Sequence, residues 1–262
     1  GTGQIGAVHV ECARRAGATV VGLVGSSPDR ARAKATAWGV PVVYSDLEEL
    51  LEQPDIDVVH IASPNHVHAS QAIAVANAGK HVICEKPMAL DSASAGAMVD
   101  AAQAAGVVHA TCFNFRFYPM MHEAHAMMLS GELGEPRLLT GSYHQDWLFE
   151  DTDWNWRLDS ERAGDLRSVA DIGSHWLDLM SWISGRRVTE VCADLHTFIP
   201  VRYRPHGEVE TFSGASGAGG EPVSIDTDDA GSVLLRLEGG VRGSFSVSQV
   251  SAGRKNDLRF EL

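Results

Sequence analysis

Asp171 and His175 lie four residues apart in the segment DIGSHWLDL, which begins at residue 171. Side chains at this spacing project from the same face of a helix. An imidazole titrates close to neutral pH and can accept a hydroxyl proton, while a carboxylate can hold a cation or a hydroxyl group by a charge-assisted hydrogen bond. The pair predicts a helix face capable of acid–base chemistry, with Asp178 near enough to orient His175 or to bind a substrate. The alternative for His175 is a structural imidazole at a helix contact.

A lysine, Lys86, directly follows an apolar run in AGKHVICEKPMAL (residues 78–90). Ligands of open α/β sheets bind at the carboxyl ends of the strands, so we expect Lys86 to face a crevice. An ammonium group in that place could stabilise negative charge that develops on an oxygen. Considered alone, Lys86 would more simply be a surface lysine in a loop between a strand and a helix.

Three glycines, Gly1, Gly3 and Gly6, form the pattern G-x-G-x-x-G, and a helix and further strand–helix units follow it. In a dinucleotide-binding turn the first glycine permits the tight turn, the second lets a pyrophosphate approach the backbone, and the third lets the helix pack on a strand. The amino terminus of the helix supplies amide donors and partial positive charge. The pattern predicts a dinucleotide site that includes Gln4 and Ile5; the alternative is a plain glycine turn.

The residue that would contact the cofactor ribose is a serine. An NAD-type site carries Asp or Glu about 20 residues after the glycines, whereas this chain reads VGSSPDR with Ser26 in that place. The hydroxyls of Ser26 and Ser27, together with Arg30, could accommodate a 2′-phosphate. Asp29 could instead bind the ribose hydroxyl, although its position after a proline is typical of a first helical turn. The cofactor is predicted to be NAD or NADP, with NADP slightly favoured.

The segment SPNHVH (63–68) also follows a predicted strand and is expected to border the nicotinamide ribose. The cofactor contacts predicted in this segment and in the EKP segment are Ser63, Pro64, Asn65, His68, Glu85 and Lys86. The histidines of SPNHVH raise a zinc hypothesis, as does the segment HEAH (122–125). Neither segment has the HExxH spacing of a zinc-binding helix, so no metal site is predicted.

The elements that must position these residues alternate regularly in the first half of the chain. Short β-branched apolar runs occupy residues 19–24, 42–44, 57–62, 80–84 and 107–112, and alanine-rich helical stretches occupy residues 5–16, 28–38, 66–78 and 91–105. Apolar strands that alternate with helices predict a parallel sheet covered on both faces.

The pattern changes after Phe113. A helix is predicted over residues 119–129 and another from about Asp171, and alternating segments at 232–240 and 241–253 predict antiparallel strands. A glycine-rich stretch, 211–222, predicts a loop. The aromatic-rich segment YHQDWLFEDTDWNWR (143–157) could form a wall that binds a polyol, although packing is the favoured role for most of its aromatic side chains.

Composition places the chain among ordinary globular proteins. It has 262 residues, 44% of them hydrophobic, and a formal net charge of -13. The length favours two domains, and no apolar run is long enough to span a membrane. The negative charge and scattered basic residues exclude nucleic acid as an expected partner. Four cysteines that are far apart in the sequence suggest reduced thiols and a cytoplasmic location.

Several segments together resemble the glucose–fructose oxidoreductase, inositol dehydrogenase and rhizopine-catabolism (Gfo/Idh/MocA) family. They are AGKHVICEKPMAL, SPNHVHAS (63–70), FNFRFYPM (113–120), GELGEPR (131–137), DIGSHWLDL (171–179) and the terminal DLRFEL. The resemblance covers essentially the whole chain. It implies a Rossmann dinucleotide-binding domain over residues 1–113, whose first strand is missing, and a C-terminally truncated α/β domain over 114–262. The second domain is expected to bind substrate and to carry a large open mixed, mainly antiparallel sheet that forms a homodimer or homotetramer.

The resemblance also implies roles for the residues singled out above. Lys86, Asp171 and His175 would be catalytic and line the substrate beside the nicotinamide, with His175 as the base that takes the hydroxyl proton. Trp156 and Arg157 match a recurring WR pair of the family and, with Arg116, are candidate substrate contacts.

The function predicted from this resemblance is an NAD(P)-dependent dehydrogenase or reductase. It would act on the CH–OH group of a sugar, a cyclitol or a related polyhydroxy compound. Two alternatives remain open. One is an NAD-dependent glycoside hydrolase or epimerase with transient redox chemistry, and the other is a dinucleotide sensor without catalytic activity.

Overall fold

The computed structural model describes residues 1–207 and 220–262, and the chain divides into two units, Gly1–Cys112 and Phe113–Leu262. In the first unit short strands alternate with helices. The helices are α1 (Gln4–Arg15), α2 (Pro28–Trp38), α3 (Leu47–Leu51), α4 (His68–Asn77) and α5 (Ser92–Ala105). The strands are β1 (Gly22–Leu23), β2 (Val42–Val43), β3 (Val58–Ile61), β4 (His81–Cys84) and β5 (His109–Thr111).

Every strand pair in the described part of this unit is parallel. Strand β1 pairs with β2, and β3, β4 and β5 form a three-stranded sheet in that order. The predicted parallel α/β architecture is therefore confirmed. The buried core below the helices consists largely of aliphatic side chains from β3, β4, α4 and α5, among them Val59, Ile61, Val75, Val82 and Met98.

Side-chain caps set the beginnings of several helices in the first unit. The hydroxyl of Ser27 accepts a hydrogen bond from the backbone N–H of Arg30 at 3.5 Å, and Pro28 occupies the first turn of α2. The carboxylate of Asp46 accepts from the backbone N–H of Glu49 at 2.8 Å and begins α3. Helix α3 was not predicted from the sequence, although Asp46 is a residue type that favours the N-cap position of a helix.

The second unit combines a five-stranded mixed sheet, a two-stranded antiparallel sheet and a small set of helices. The helices are α6 (Pro119–Leu129), α7 (Ser160–Ala163) and α8 (Ser174–Ser184), and a π-helical segment, Val169–Gly173, leads directly into α8. The strands are β6 (Leu138–His144), β7 (Val188–His196), β8 (Val201–Arg204), β9 (Glu221–Ser224), β10 (Ala230–Leu237), β11 (Arg242–Ser248) and β12 (Asp257–Glu261).

The main sheet has the strand order β12-β6-β11-β10-β7. Strand β11 runs parallel to β6, and the other neighbouring pairs are antiparallel. The predicted mixed, mainly antiparallel sheet is confirmed, including the antiparallel pair at 232–240 and 241–253. Strands β6 and β7 were not predicted. Of the predicted loop at 211–222, residues 211–219 lie outside the described part of the chain, and Glu221 and Pro222 belong to β9.

Helix α8 is fixed on this sheet by a fully buried tryptophan. The ring of Trp176 stacks on Phe245 with centroids 4.6 Å apart, and its Nε1–H donates to the carbonyl of Arg259 at 3.0 Å. Gly141 on β6 makes room for it, since a Cβ there would lie 2.5 Å from Trp176 Nε1 and 2.2 Å from the carbonyl oxygen of Arg259. The residues that follow Gly173 are therefore held against the sheet by packing and by a backbone hydrogen bond.

No helix in the described residues is both long enough and apolar enough to cross a membrane.

Candidate active site

The three glycines at the start of the chain have different surroundings. A Cβ on Gly1 would lie 2.0 Å from the carbonyl oxygen of Ala62, and one on Gly6 would lie 2.2 Å from the carbonyl oxygen of Gly1. A Cβ on Gly3, by contrast, would meet no atom within 4 Å, and Gly3 precedes α1 with extended backbone. Gly1 and Gly6 therefore allow tight packing, whereas Gly3 leaves the amino end of α1 open. This arrangement fits a dinucleotide pyrophosphate.

The residues after β1 present a hydroxyl and a guanidinium near the start of α2. Ser26 is exposed and Arg30 is half-buried, while the hydroxyl of Ser27 caps α2. Asp29 lies in the first turn of that helix and forms an ion pair with Arg32 at 2.6 Å. Asp29 is thus placed as a first-turn acid, and the contacts of Ser26 and Arg30 with a ribose or its 2′-phosphate stay predictions.

The SPNHVH segment forms a short 3-10 turn, Asn65–Val67, before α4. The fully buried His68 spans two loops, with Nδ1 2.8 Å from the carbonyl oxygen of Pro87 and Nε2 2.9 Å from that of Ser63. Asn65 is also buried. His68 thus links the Ser63 loop to the loop that carries Lys86.

Glu85 precedes the partly buried Lys86, and its carboxylate contacts other residues of the first unit. Its carboxylate accepts from Nε2 of His9 at 3.0 Å and from the backbone N–H of Lys86 at 3.2 Å. Burial by itself would raise the pKa of Glu85, but the hydrogen bond and charge of His9, together with Lys86, outweigh it and lower the pKa.

His9 is at the centre of a polar cluster that the sequence did not predict. Its Nδ1 lies 2.8 Å from Nδ1 of His60, and the thiol of Cys112 hydrogen bonds to Glu85. Burial, with the nearby carboxylate, raises the pKa of the Cys112 thiol to about 12, so this thiol is protonated and acts as the donor. In the sequence, only the helical periodicity of α1 could have indicated that His9 faces the sheet.

Asp171 lies in the π-helical segment of the second unit and is held at both carboxylate oxygens. Arg157 donates through Nε to Oδ1 at 3.0 Å, and Gln249 donates through Nε2 to Oδ2 at 2.8 Å. Gln249 is fully buried and follows β11 closely, and the sequence did not single it out. The carboxylate is therefore fixed in orientation by one charged and one neutral donor.

His175 is the second residue of α8 and is 8% exposed. Its ring packs among aromatic side chains, with centroids 4.7 Å from Phe115, 5.5 Å from Phe113 and 6.4 Å from Tyr143. The predicted single α-helix for Asp171 and His175 was wrong in detail, because a wider π turn precedes α8. Such π segments often occur at functional sites.

The carboxylate of Asp228 accepts hydrogen bonds at the beginning of this π-helical segment. Its Oδ1 accepts from the backbone N–H of Arg167 at 2.6 Å, and its Oδ2 accepts from that of Val169 at 3.0 Å and from the hydroxyl of Ser168. Arg167 and Arg202 are fully buried and both contact the carboxylate of Asp229. Backbone and side-chain donors thus converge on two neighbouring aspartates that support the segment containing Asp171.

Arg116 and Arg157, two of the predicted substrate contacts, have protein partners. Arg116 donates to both carboxylate oxygens of Asp178, through Nε at 2.7 Å and through Nη2. Asp178 therefore binds Arg116, and its predicted roles in orienting His175 or binding a substrate stay predictions. The guanidinium of Arg157 lies 4.6 Å from the ring centroid of Trp156.

Tyr143 at the end of β6 was not predicted as a site residue. Its hydroxyl donates to Oδ1 of Asn256 at 2.6 Å, and burial, with the charge of Asp171, raises its pKa. Other aromatic side chains of the 143–157 segment serve packing, as favoured from the sequence: Trp147 and Trp154 cover a small core around Leu148.

Three of the four histidines that raised a zinc hypothesis have identified contacts in the structure. His125 stacks on Trp182 with centroids 4.1 Å apart, His122 meets the same ring edge-on at 5.3 Å, and His68 bonds backbone carbonyls as described.

These features define a two-unit α/β protein whose first unit has the Rossmann organisation and whose second unit carries a supported Asp–His segment on a mixed sheet. The model of the oxidoreductase family with an NAD-binding Rossmann fold matches residues 1–113, and that of the GFO/IDH/MocA C-terminal domain matches residues 121–262. The chain therefore belongs to the Gfo/Idh/MocA oxidoreductase family, as the resemblance predicted.

Individual relatives agree with this assignment. Levoglucosan dehydrogenase of Pseudarthrobacter phenanthrenivorans is 34% identical over 238 residues, which are 90% of this chain and 60% of the relative. An oxidoreductase domain protein from Kribbella flavida superposes with a TM-score of 0.89 at 34% identity, over 98% of this chain and 68% of that one. Levoglucosan dehydrogenase in complex with NADH and levoglucosan gives a TM-score of 0.88 at 31% identity, over 100% of this chain and 68% of that chain. The chain thus spans about 60% of the length of the curated dehydrogenase.

Proposed function

We propose that this chain is part of an NAD(P)-dependent oxidoreductase that transfers hydride between nicotinamide and a CH–OH carbon of a sugar, cyclitol or related polyhydroxy compound. The observation that carries the proposal is the similarity along the whole chain to a dehydrogenase whose structure contains NADH and levoglucosan, an anhydrosugar. The first unit would bind the dinucleotide, and the second would bind the substrate and contribute to assembly.

In the first unit, the open amino end of α1 at Gly3 would hold the pyrophosphate through backbone N–H groups. Ser26 and Arg30 would contact the ribose and extend the cofactor range from NAD to NADP. The bound nicotinamide supplies the hydride acceptor or donor. Lys86 would stabilise negative charge on the reacting oxygen, and the bonds of His68 to the carbonyls of Ser63 and Pro87 would hold the loop that carries it.

In the second unit, His175 would accept the hydroxyl proton, and its ring is buried among aromatic side chains. The carboxylate of Asp171 would fix a substrate hydroxyl. Its clamp by Arg157 and Gln249 supports this role, because a preoriented acceptor needs no reorganisation when substrate binds. Trp156 would offer an aromatic face to the C–H surface of a sugar.

A cofactor-by-substrate panel tests the proposal. The full-length protein is assayed with NAD and with NADP against levoglucosan, common aldoses and inositols, and absorbance of reduced nicotinamide is recorded. Accumulation of reduced cofactor with at least one polyol supports a dehydrogenase. Product formation without net reduction would indicate the hydrolase or epimerase alternative, and cofactor binding without any product would indicate a sensor.

We also propose that the protein is a cytoplasmic homo-oligomer. All four cysteines are free thiols, in keeping with a reducing compartment. The open face of the main sheet exposes Leu234, at 61% of its surface, beside the exposed Cys192 on the paired strand β7. An exposed apolar strand surface of this kind is expected to be covered by a second copy.

A further inference from the structure

The cluster around His9 contains three side chains with the chemistry of metal ligands. His9 lies on α1, Glu85 follows β4 and Cys112 follows β5, and one ligand atom of each lies within 4.8 Å of the other two. All three residues are partly buried. Within the part of the chain that the structure describes, no other group of histidine, cysteine and acidic side chains meets this condition.

The backbone on which two of these residues lie is fixed by the parallel sheet. The N–H of Glu85 donates to the carbonyl of Ile61 at 2.9 Å, and the N–H of Cys112 donates to the carbonyl of Cys84 at 2.8 Å. These bonds continue the pairing of β3, β4 and β5 beyond the last paired residues. The carboxylate and the thiol are therefore presented from neighbouring strand ends, which is a rigid support for a metal site.

His60 provides the outer contact that metal-binding histidines usually have. Its Nδ1 lies 2.8 Å from Nδ1 of His9. In the structure Nε2 of His9 donates to the carboxylate of Glu85, 3.0 Å away. Transfer of the ring proton to Nδ1, which would then donate to His60, exposes the Nε2 lone pair to a cation. A hydrogen bond at the non-ligating nitrogen, which fixes the tautomer of a ligand histidine, is typical of metal sites.

We propose that His9, Glu85 and Cys112 bind one transition-metal ion of the zinc class, with His60 holding His9 in the ligating tautomer. The mixture of imidazole nitrogen, carboxylate oxygen and thiolate sulfur suits Zn²⁺ and disfavours Mg²⁺ and Ca²⁺, which prefer oxygen ligands. On binding, the metal–sulfur bond replaces the S–H bond of Cys112, and the proton leaves to solvent. Three protein ligands leave a fourth position for water.

The ligand atoms of a tetrahedral zinc site are about 3.5 Å apart. Side-chain rotations that move the ligand atoms of this group by on the order of 1 Å would bring them to that separation. Glu85 also accepts the backbone N–H of Lys86, so the metal would share the carboxylate that anchors the beginning of the lysine loop. The metal site itself does not depend on the proposed oxidoreductase function, because its test measures binding.

The test uses Co²⁺ as a spectroscopic probe on the whole reduced protein. Equilibrium dialysis is expected to give one Co²⁺ per chain, with a thiolate-to-cobalt charge-transfer band in the near ultraviolet, and Zn²⁺ should displace it. Cys112→Ser should abolish this band, and His9→Gln should weaken binding. His60→Ala should keep the band while weakening binding by about 10 to 100-fold, as outer contacts do.

Two thiol variants serve as controls. Cys192→Ser removes an exposed cysteine on β7 of the second unit, and Cys12→Ser removes the exposed cysteine one turn after His9 on α1. Both should retain the full band, and circular dichroism checks that every variant is folded. Absence of the band in the wild-type protein, or its loss in either control in place of Cys112→Ser, would overturn the assignment and leave the cluster as a hydrogen-bonded network only.

Discussion

At the scale of single residues, the candidate chemistry depends on side chains whose charges are held by specific partners. Lys86 is the second residue after β4, in a loop that His68 ties to Ser63. Asp171 is held by Arg157 and Gln249. The sequence predicted candidate side chains in both units, but it did not predict Gln249, the neutral donor that orients Asp171.

Replacement of Lys86 tests its proposed role in stabilising charge. Lys86→Ala is expected to lower kcat by about 10² to 10³-fold, which is typical for loss of one preorganised donor to a developing oxyanion. Dinucleotide affinity, measured by calorimetry, should change little. Lys86→Arg keeps the charge and should retain more activity than the alanine variant. An unchanged kcat in Lys86→Ala would remove this residue from the mechanism.

Ser26 is expected to determine the choice between the two dinucleotides. Ser26→Asp places a carboxylate where an NAD-type site has one, and it would repel the 2′-phosphate of NADP. The kcat/KM ratio of NADP to NAD should fall by about tenfold or more. Ser70→Asp, which adds the same charge at an exposed position on α4, controls for net charge. An unchanged ratio in Ser26→Asp would place the ribose contact elsewhere.

The lowered pKa of Glu85 predicts a pH dependence of stability. A carboxyl group whose pKa is lower in the folded than in the unfolded state stabilises the fold above its unfolded pKa, about 4.3, and this contribution is lost as the pH falls through the folded value. Melting temperatures of wild-type protein and Glu85→Gln should therefore differ at pH 7 and converge at acidic pH. A difference that persists undiminished below the folded pKa would show that packing of Glu85, and not its charge, is responsible.

At the scale of elements, the sequence predicted most of what has a strong local pattern. Helices α1, α2 and α5 and strands β10 and β11 were predicted because their apolar or alanine-rich patterns are long or regular. Strand β7 was missed because nearly all of its residues are exposed, so no alternation of apolar and polar residues marks it.

The partners of Asp171 could not be predicted in the same way. Gln249 is 78 residues away in the sequence, and it reaches Asp171 only because it follows β11 in the folded sheet. The π turn at Val169–Gly173 has no sequence signature that separates it from an α-helical start. Contacts of this kind depend on tertiary packing, which overrides local preference.

Asp228 is expected to support the segment that carries Asp171. Asp228→Ala would leave the N–H groups of Arg167 and Val169 and the hydroxyl of Ser168 without this acceptor. Loss of acceptors for buried donors typically costs about 1 to 3 kcal/mol for each group left unsatisfied. The free energy of unfolding, measured in urea, should therefore fall by at least the cost of one unsatisfied donor. The kcat should fall as well.

The matched control for Asp228→Ala is Asp226→Ala. Asp226 is exposed two residues earlier in the same connection between β9 and β10, so its replacement should leave stability within about 0.5 kcal/mol of wild type. Equal stabilities of the two variants would mean that the π-helical segment does not depend on its cap.

At the scale of the whole molecule, the main sheet has one buried and one exposed surface, and the exposed surface determines how the chain would assemble. Val233, Leu235 and Leu237 of β10 are buried under α8 in the core of the second unit, while Leu234 between them is 61% exposed. Strict alternation along β10 therefore directs Leu234 to the opposite surface, where it lies beside Cys192 of the paired strand β7. If a second copy covers this surface, a charge at Leu234 must be desolvated on assembly, which is costly without a partner charge.

Leu234→Glu is expected to shift the proposed oligomer of the full-length protein to a smaller species, as determined by light scattering coupled to size exclusion. The fold should persist, because Leu234 makes no contribution to the buried core. Leu129→Glu, at the 72% exposed end of α6, introduces the same charge on a helix and should leave the mass unchanged. If Leu234→Glu and wild type have the same mass above that of a monomer, assembly uses another surface, and the exposed face of β10 and β7 then remains in solvent.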